Sequence, residues 1–272
     1  MKNIFILLTL SIYPFISFTQ KRFYIPSAYQ ISDFDNKKQI SLSVAKGNGY
    51  DANVSYSFSK KFYTLFAYGI NNWYEERSTL FSYYGINSHN TSFSAQFGYY
   101  KKTKKPLNKV EVYLGYSKIK IDNYWDFLET YRLDSAKAQF TYGKYNALFL
   151  GSNLIAQNHV VEFSFGIRIS YYKYDTLSFY DTEHLYPTSA VKHLHGITTE
   201  LIQGLGLQHK SFKLLLQGGI SIPLISPYAE QTDTQFLNNG GYVTIHKEKF
   251  LEGSLIFRLS LQCNLKILQK QK

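Results

Sequence analysis

Only one of the 272 residues is cysteine, Cys263. A lone cysteine closes no intramolecular disulfide and supports no thiolate metal cluster. It reads as a small apolar residue on a strand face. Charge is also scarce, at 18% of residues, while the hydrophobic share is an ordinary 44%. A helical membrane protein would be greasier, and a disordered chain poorer in aromatics. Acidic residues are the scarcer sign, leaving a formal net charge of +11. The lysines are nevertheless scattered over turns and strand ends (Lys60-Lys61, Lys101-Lys102, Lys104-Lys105), with no basic helix, so nucleic-acid binding is not expected. Beyond Gln20 no apolar run approaches the ~18 residues of a spanning helix. There is no G-x-S-x-G elbow, no H-E-x-x-H pair and no P-loop. Gly47-Asn48-Gly49 and Gly204-Leu205-Gly206 precede no helical pattern and read as turn and strand glycines. No cofactor and no catalytic residue is assigned.

Aromatics, by contrast, are abundant: 25 Tyr and 21 Phe bring the aromatic share to 18%. Such residues suit strands and membrane interfaces. The N-terminus carries Lys2, an apolar run from Ile4 to Leu10, and small residues at Ser17 and Thr19. That order is a Sec-type signal peptide, expected over 1–19 with cleavage near Thr19. Pro14 and the short run argue against a retained helical anchor. The expected organisation is then a periplasmic segment over 20–38, a barrel over 39–268 and a tail over 269–272.

The rest of the chain alternates apolar and polar residues with period two. Leu255, Phe257, Leu259, Leu261, Cys263, Leu265 and Ile267 share one face, opposed by Ser254, Arg258, Ser260, Gln262, Asn264 and Lys266. Val161, Phe163, Phe165, Ile167, Ile169 and Tyr171 oppose Glu162, Ser164, Gly166, Arg168 and Ser170. Similar runs cover 51–58, 92–99, 109–117 and 212–222, with Asp51 and Lys109 on the polar faces of theirs and weaker runs at 39–46, 62–72 and 197–208. The stretch 137–155 is ambiguous in phase, and a bulge is expected there. Connections alternate between short turns and long stretches at 74–90, 122–136, 175–196 and 225–250, the rhythm of periplasmic turns and outer loops. The fold class that follows is all-β: an antiparallel up-and-down transmembrane β-barrel of about ten strands, with eight or twelve also compatible.

The apolar face must point outward. Turned inward, dozens of Phe, Tyr, Leu and Ile would compete for a lumen only wide enough for a few side chains. A β-sandwich could bury them, but it needs neither 10–14-residue strands nor loops long at one end only. The inward face then holds Glu111, Glu162, Arg168, Glu200, Lys213 and Arg258, which are expected to form a lumen network of ion pairs. Tyr63, Phe66, Tyr99, Tyr100, Tyr171 and Tyr172 are expected in aromatic girdles at strand ends. Trp73, Tyr74, Trp125, Phe127 and Tyr180 fall in the long stretches and are loop interaction candidates. His193 and His195, with Glu183 and His184 nearby, are weak metal candidates that lack a certain third ligand. Asp175, Ser178, Asp181 and His184 could suggest an outer-rim hydrolase, but no spacing marks a triad.

The function expected is a structural or surface-interaction outer-membrane barrel, expected as a monomer. The expected partners are outer-membrane lipid and an extracellular partner or lipopolysaccharide. The alternatives are a narrow channel for small solutes and a soluble secreted β-sandwich binding module. A leader ending Ser17-Phe18-Thr19-Gln20 is followed by Tyr24-Ile25-Pro26 and by Lys46-Gly47-Asn48-Gly49-Tyr50-Asp51-Ala52, then by Tyr-rich strands. This pattern resembles the small outer-membrane β-barrel proteins of Bacteroidetes-type bacteria. The resemblance implies a fold and a location more than an activity. One departure is the C-terminus: many such barrels end on an aromatic residue, whereas this chain ends Leu268-Gln269-Lys270-Gln271-Lys272.

Overall fold

The computed structural model describes Phe34 and residues 38–47, 49–78, 82–103, 107–129, 136–158, 160–181, 189–191, 194–226, 228–237, 240–249 and 253–266. The expected signal peptide, nearly all of the periplasmic segment and the C-terminal tail lie outside them. The strands are β1 (Gln39–Gly47), β2 (Tyr50–Ser57), β3 (Phe62–Ser78), β4 (Ser82–Lys102), β5 (Lys109–Glu129), β6 (Ala136–Gln157), β7 (Val161–Asp181), β8 (Ser189–Val191), β9 (His195–His209), β10 (Phe212–Ile225), β11 (Tyr228–Leu237), β12 (Gly240–Lys249) and β13 (Ser254–Lys266).

Ten of these strands close into one antiparallel barrel. β1 to β7 pair in sequence, β7 continues to β9, then β10 and β13, and β13 returns to β1. β8 adds a short edge to β7, and β11–β12 form a separate hairpin. Closure removes the free edges that an open sheet of this size would expose.

The pleat sends successive side chains to opposite faces, and the faces differ sharply in chemistry. Leu114, Leu150, Phe165, Ile169, Leu205, Leu216, Phe257 and Leu261 are all exposed on the outside. Glu111, Asn153, Glu162, Ser170, Glu200 and Lys213 are fully buried inside. A water-soluble barrel has the reverse sign. Tight turns join the strands at one end. Between β9 and β10 only Lys210 and Ser211 intervene, with Lys210 at a φ of 53°. At the opposite end one tight turn also occurs, between β1 and β2: Gly49 has a φ of 143°, and a Cβ there would lie 2.5 Å from the Ile70 carbonyl oxygen.

The irregularity expected in 137–155 lies where Lys144 faces Thr176 and Tyr145 faces Tyr174. The extra residue is Asp175, on the partner strand β7. The long connections are also different from expectation. β3 to β7 continue for 17 to 22 residues, through most of 74–90 and 122–136. Residues 228–249 are largely the β11–β12 hairpin. Crossing a bilayer needs only about 9–11 residues, so these ladders run on past the apolar belt. Inter-strand hydrogen bonds hold them after the alternation has ended.

Candidate functional site

The candidate site is the interior of the barrel. Lys109 Nζ lies 3.2 Å from Glu111 Oε1, and Asn153 Nδ2 donates to Glu111 Oε2 at 3.0 Å. Lys213 Nζ donates to Glu162 Oε2 at 2.9 Å, with both side chains fully buried. Arg168 Nε donates to Glu200 on the adjacent strand, its register partner. Arg258 reaches over β1 to Asp51: Nε to Oδ2 is 3.0 Å and Nη2 to Oδ1 is 2.7 Å. Its Nη1 donates to Gln217 Oε1 at 3.0 Å. Glycine makes two of these spans feasible. Gly206 on β9 lies between Glu162 and Lys213, and a Cβ there would sit 3.2 Å from Glu162 Cβ and 3.5 Å from Lys213 Cδ. On β1, Gly47 stands beside Arg258.

All six residues proposed from sequence for the lumen therefore face inward. Lys109, Asp51, Asn153 and Gln217 join them as partners. Lys109 and Asp51 had the inward phase; their pairing depends on register, which phase alone does not provide.

The lumen also holds apolar side chains. Tyr113, Phe149, Ile155, Ile202, Leu215 and Ile256 form one buried cluster. Phe34, Tyr63, Leu65, Ala67 and Tyr100 form another. The ring of Phe34 lies 5.6 Å from that of Tyr63 and 6.2 Å from that of Tyr100, so a residue ahead of β1 is packed inside the wall. Arg168 Cζ stands 5.4 Å from the Phe149 ring centroid, linking the charges to the first cluster. Consequently three of the expected girdle residues, Tyr63, Tyr100 and Tyr172, are buried inside, while Phe66 and Tyr171 remain exposed outside. Tyr99-Tyr100 and Tyr171-Tyr172 are consecutive, so the pleat must turn one of each pair inward.

Inward aromatics lie over inward glycines on the next strand. A Cβ at Gly98 would sit 2.2 Å from Tyr63 Cζ, and one at Gly151 would sit 2.3 Å from Tyr113 Cζ. Gly151→Val is expected to drive Tyr113 into an occupied interior and to cost about 1–3 kcal/mol. Gly218 faces outward with nothing within 4 Å of such a Cβ, so Gly218→Val should be far milder. Urea unfolding midpoints of the two variants check this. Equal midpoints would refute it.

The remaining residues singled out from sequence are dispersed. Trp73 and Tyr74 lie in β3, Trp125 and Phe127 in β5 and Tyr180 in β7, so they belong to strand extensions and not to loops. These extensions lack the apolar alternation that marks a strand in sequence. His195 is on β9, its ring 5.6 Å from that of Tyr171 and its Nδ1 hydrogen-bonded to the Tyr171 hydroxyl. His193, His184 and Glu183 lie outside the described residues. Among the described residues no group of three or more potential metal ligands occurs. Asp175 accepts a hydrogen bond from Asn146 Nδ2. Ser178 and Asp181 are in β7, and His184 lies outside the described residues.

No family model matches this sequence, and no curated protein matches it. Solved structures do. The outer membrane protease OmpT from Escherichia coli aligns with a TM-score of 0.53 at 8% identity, over 87% of this chain and 99% of that one. The translocator domain of the autotransporter NalP from Neisseria meningitidis aligns with a TM-score of 0.44 at 11% identity, over 83% and 86%. The fold is thus that of an outer-membrane β-barrel. At 8% identity the likeness to OmpT is one of fold alone.

Proposed function

We propose that this protein is an exported, monomeric outer-membrane β-barrel with a structural or surface-interaction role. One observation carries the reading: apolar side chains cover the outside of all ten strands while ion pairs fill the inside. In water this arrangement would leave a large greasy belt unshielded. In a bilayer the belt is solvated by lipid, and the charges are kept from it. The extensions of β3 to β7, with Trp73, Tyr74, Trp125, Phe127 and Tyr180, would offer a surface to an extracellular partner. The paired charges and the two apolar clusters favour a closed lumen over a solute channel.

The mature chain should need detergent for solubility and migrate faster on gels unheated than boiled. In planar bilayers it should give no stable open steps. A monomer soluble without detergent would overturn the membrane reading; steady unitary conductance would overturn the closed lumen.

A further inference from the structure

The outside of β5, β6 and β7 changes character over one residue row. Tyr116, Leu148 and Tyr171 are side-by-side partners and close the apolar belt. The next row outward holds Lys118, Asn146, Lys173 and His195, again direct register partners. Lys120 and Lys144 face each other one row further. Four lysines therefore stand on three adjacent strands above greasy side chains. Strand spacing and rise put them within roughly 12 Å of one another.

Two aspartates share the patch. Asp122 lies 3.7 Å from Lys120, an exposed pair of little binding strength. Asp175 is engaged by Asn146, which also accepts from the Tyr116 hydroxyl. Among the described residues, Lys118, Lys144 and Lys173 have no carboxylate partner. Tyr142 lies between two of the lysines, its ring centroid 5.4 Å from Lys120 Nζ and 6.0 Å from Lys144 Nζ. The patch is lopsided: among the described residues, Lys46 is the one outward lysine at the same end of β1, β2, β10 and β13. Those ammonium groups attract anions, and the adjoining belt suits an anion that carries acyl chains.

We propose that this face binds a phosphorylated glycolipid of the outer leaflet, of the lipopolysaccharide type. Its phosphates meet Lys118, Lys120, Lys144 and Lys173, and its acyl chains lie along Tyr116, Leu148 and Tyr171. The site rests on the membrane reading above.

The test uses the full mature chain in detergent, titrated with bisphosphorylated rough lipopolysaccharide and with the same lipid after phosphate removal. Each lysine near a lipid surface contributes about fivefold in binding. The wild type should prefer the phosphorylated lipid at least ~10-fold. The fourfold variant Lys118→Gln/Lys120→Gln/Lys144→Gln/Lys173→Gln should lose that preference, while Lys60→Gln/Lys61→Gln at the short-turn end should keep it. Equal binding of the two lipids, a preference surviving in the fourfold variant, or full competition by millimolar inorganic phosphate would each overturn the site. Heat-shifted gel mobility is recorded for every sample. If the fourfold variant lacks the shift, the doubles Lys118→Gln/Lys173→Gln and Lys120→Gln/Lys144→Gln decide, each expected to lose part of the preference. A wild type without any heat shift would instead count against the membrane reading itself.

Discussion

Arg168→Met alone is expected to destabilise the barrel by about 3–5 kcal/mol, measured by urea unfolding in lipid vesicles. The substitution removes the guanidinium that meets the Glu200 carboxylate, which is fully buried. A carboxylate left there without its cation retains the whole cost of leaving water. The cost is not the strength of the bridge, and the double variant shows the difference. Arg168→Met/Glu200→Leu removes both charges and fills much of the same space, so most of the loss should return. The adjacent Phe149 ring offers methionine an apolar partner in place of the cation. A single substitution costing under ~1 kcal/mol would mean that the pair is hydrated and the interior open. A double variant as unstable as the single would mean that the pair serves chiefly for shape.

The second large effect concerns the opposite face. Leu150 is 57% exposed and has Leu114 and Ile169 as its flanking partners. On a surface facing water, Leu150→Arg should change stability by no more than about 0.5 kcal/mol. At the middle of a bilayer it should cost about 2–4 kcal/mol, falling towards ~1 or less near the interface. Leu154→Arg, two outward positions nearer the short turns, should therefore be the milder change when both are compared in vesicles. A flat, near-zero result at both positions would refute the lipid-facing assignment of this wall.

Much of the barrel was legible because the lipid-facing strands impose a period of two, as in Val161 to Tyr171 and Leu255 to Leu265. The ambiguity of 137–155 has a physical source. Tyr145, Ala147, Phe149 and Ile155 point inward and are apolar, so both faces of β6 read alike. At Trp73 to Arg77 the alternation in sequence stops, and strand reads like loop. The charges Glu111, Glu162, Arg168, Glu200, Lys213 and Arg258 could be given a face by phase. Asp51 as the partner of Arg258 could not, since the two are 207 residues apart and meet only through the register of β13, β1 and β2.

The cylinder is joined unevenly. Its first strand has nine residues and its second eight, whereas β5 and β6 have 21 and 22. Each residue along a ladder adds backbone hydrogen bonds that cannot be replaced inside lipid. The joins of β13 to β1, β1 to β2 and β2 to β3 are therefore short zips, set across from the long ones that link β4, β5, β6 and β7. If the barrel parts sideways, it parts on that short side with the fewest bonds broken, and a chain entering a membrane hairpin by hairpin has one of its lighter stitches to make last.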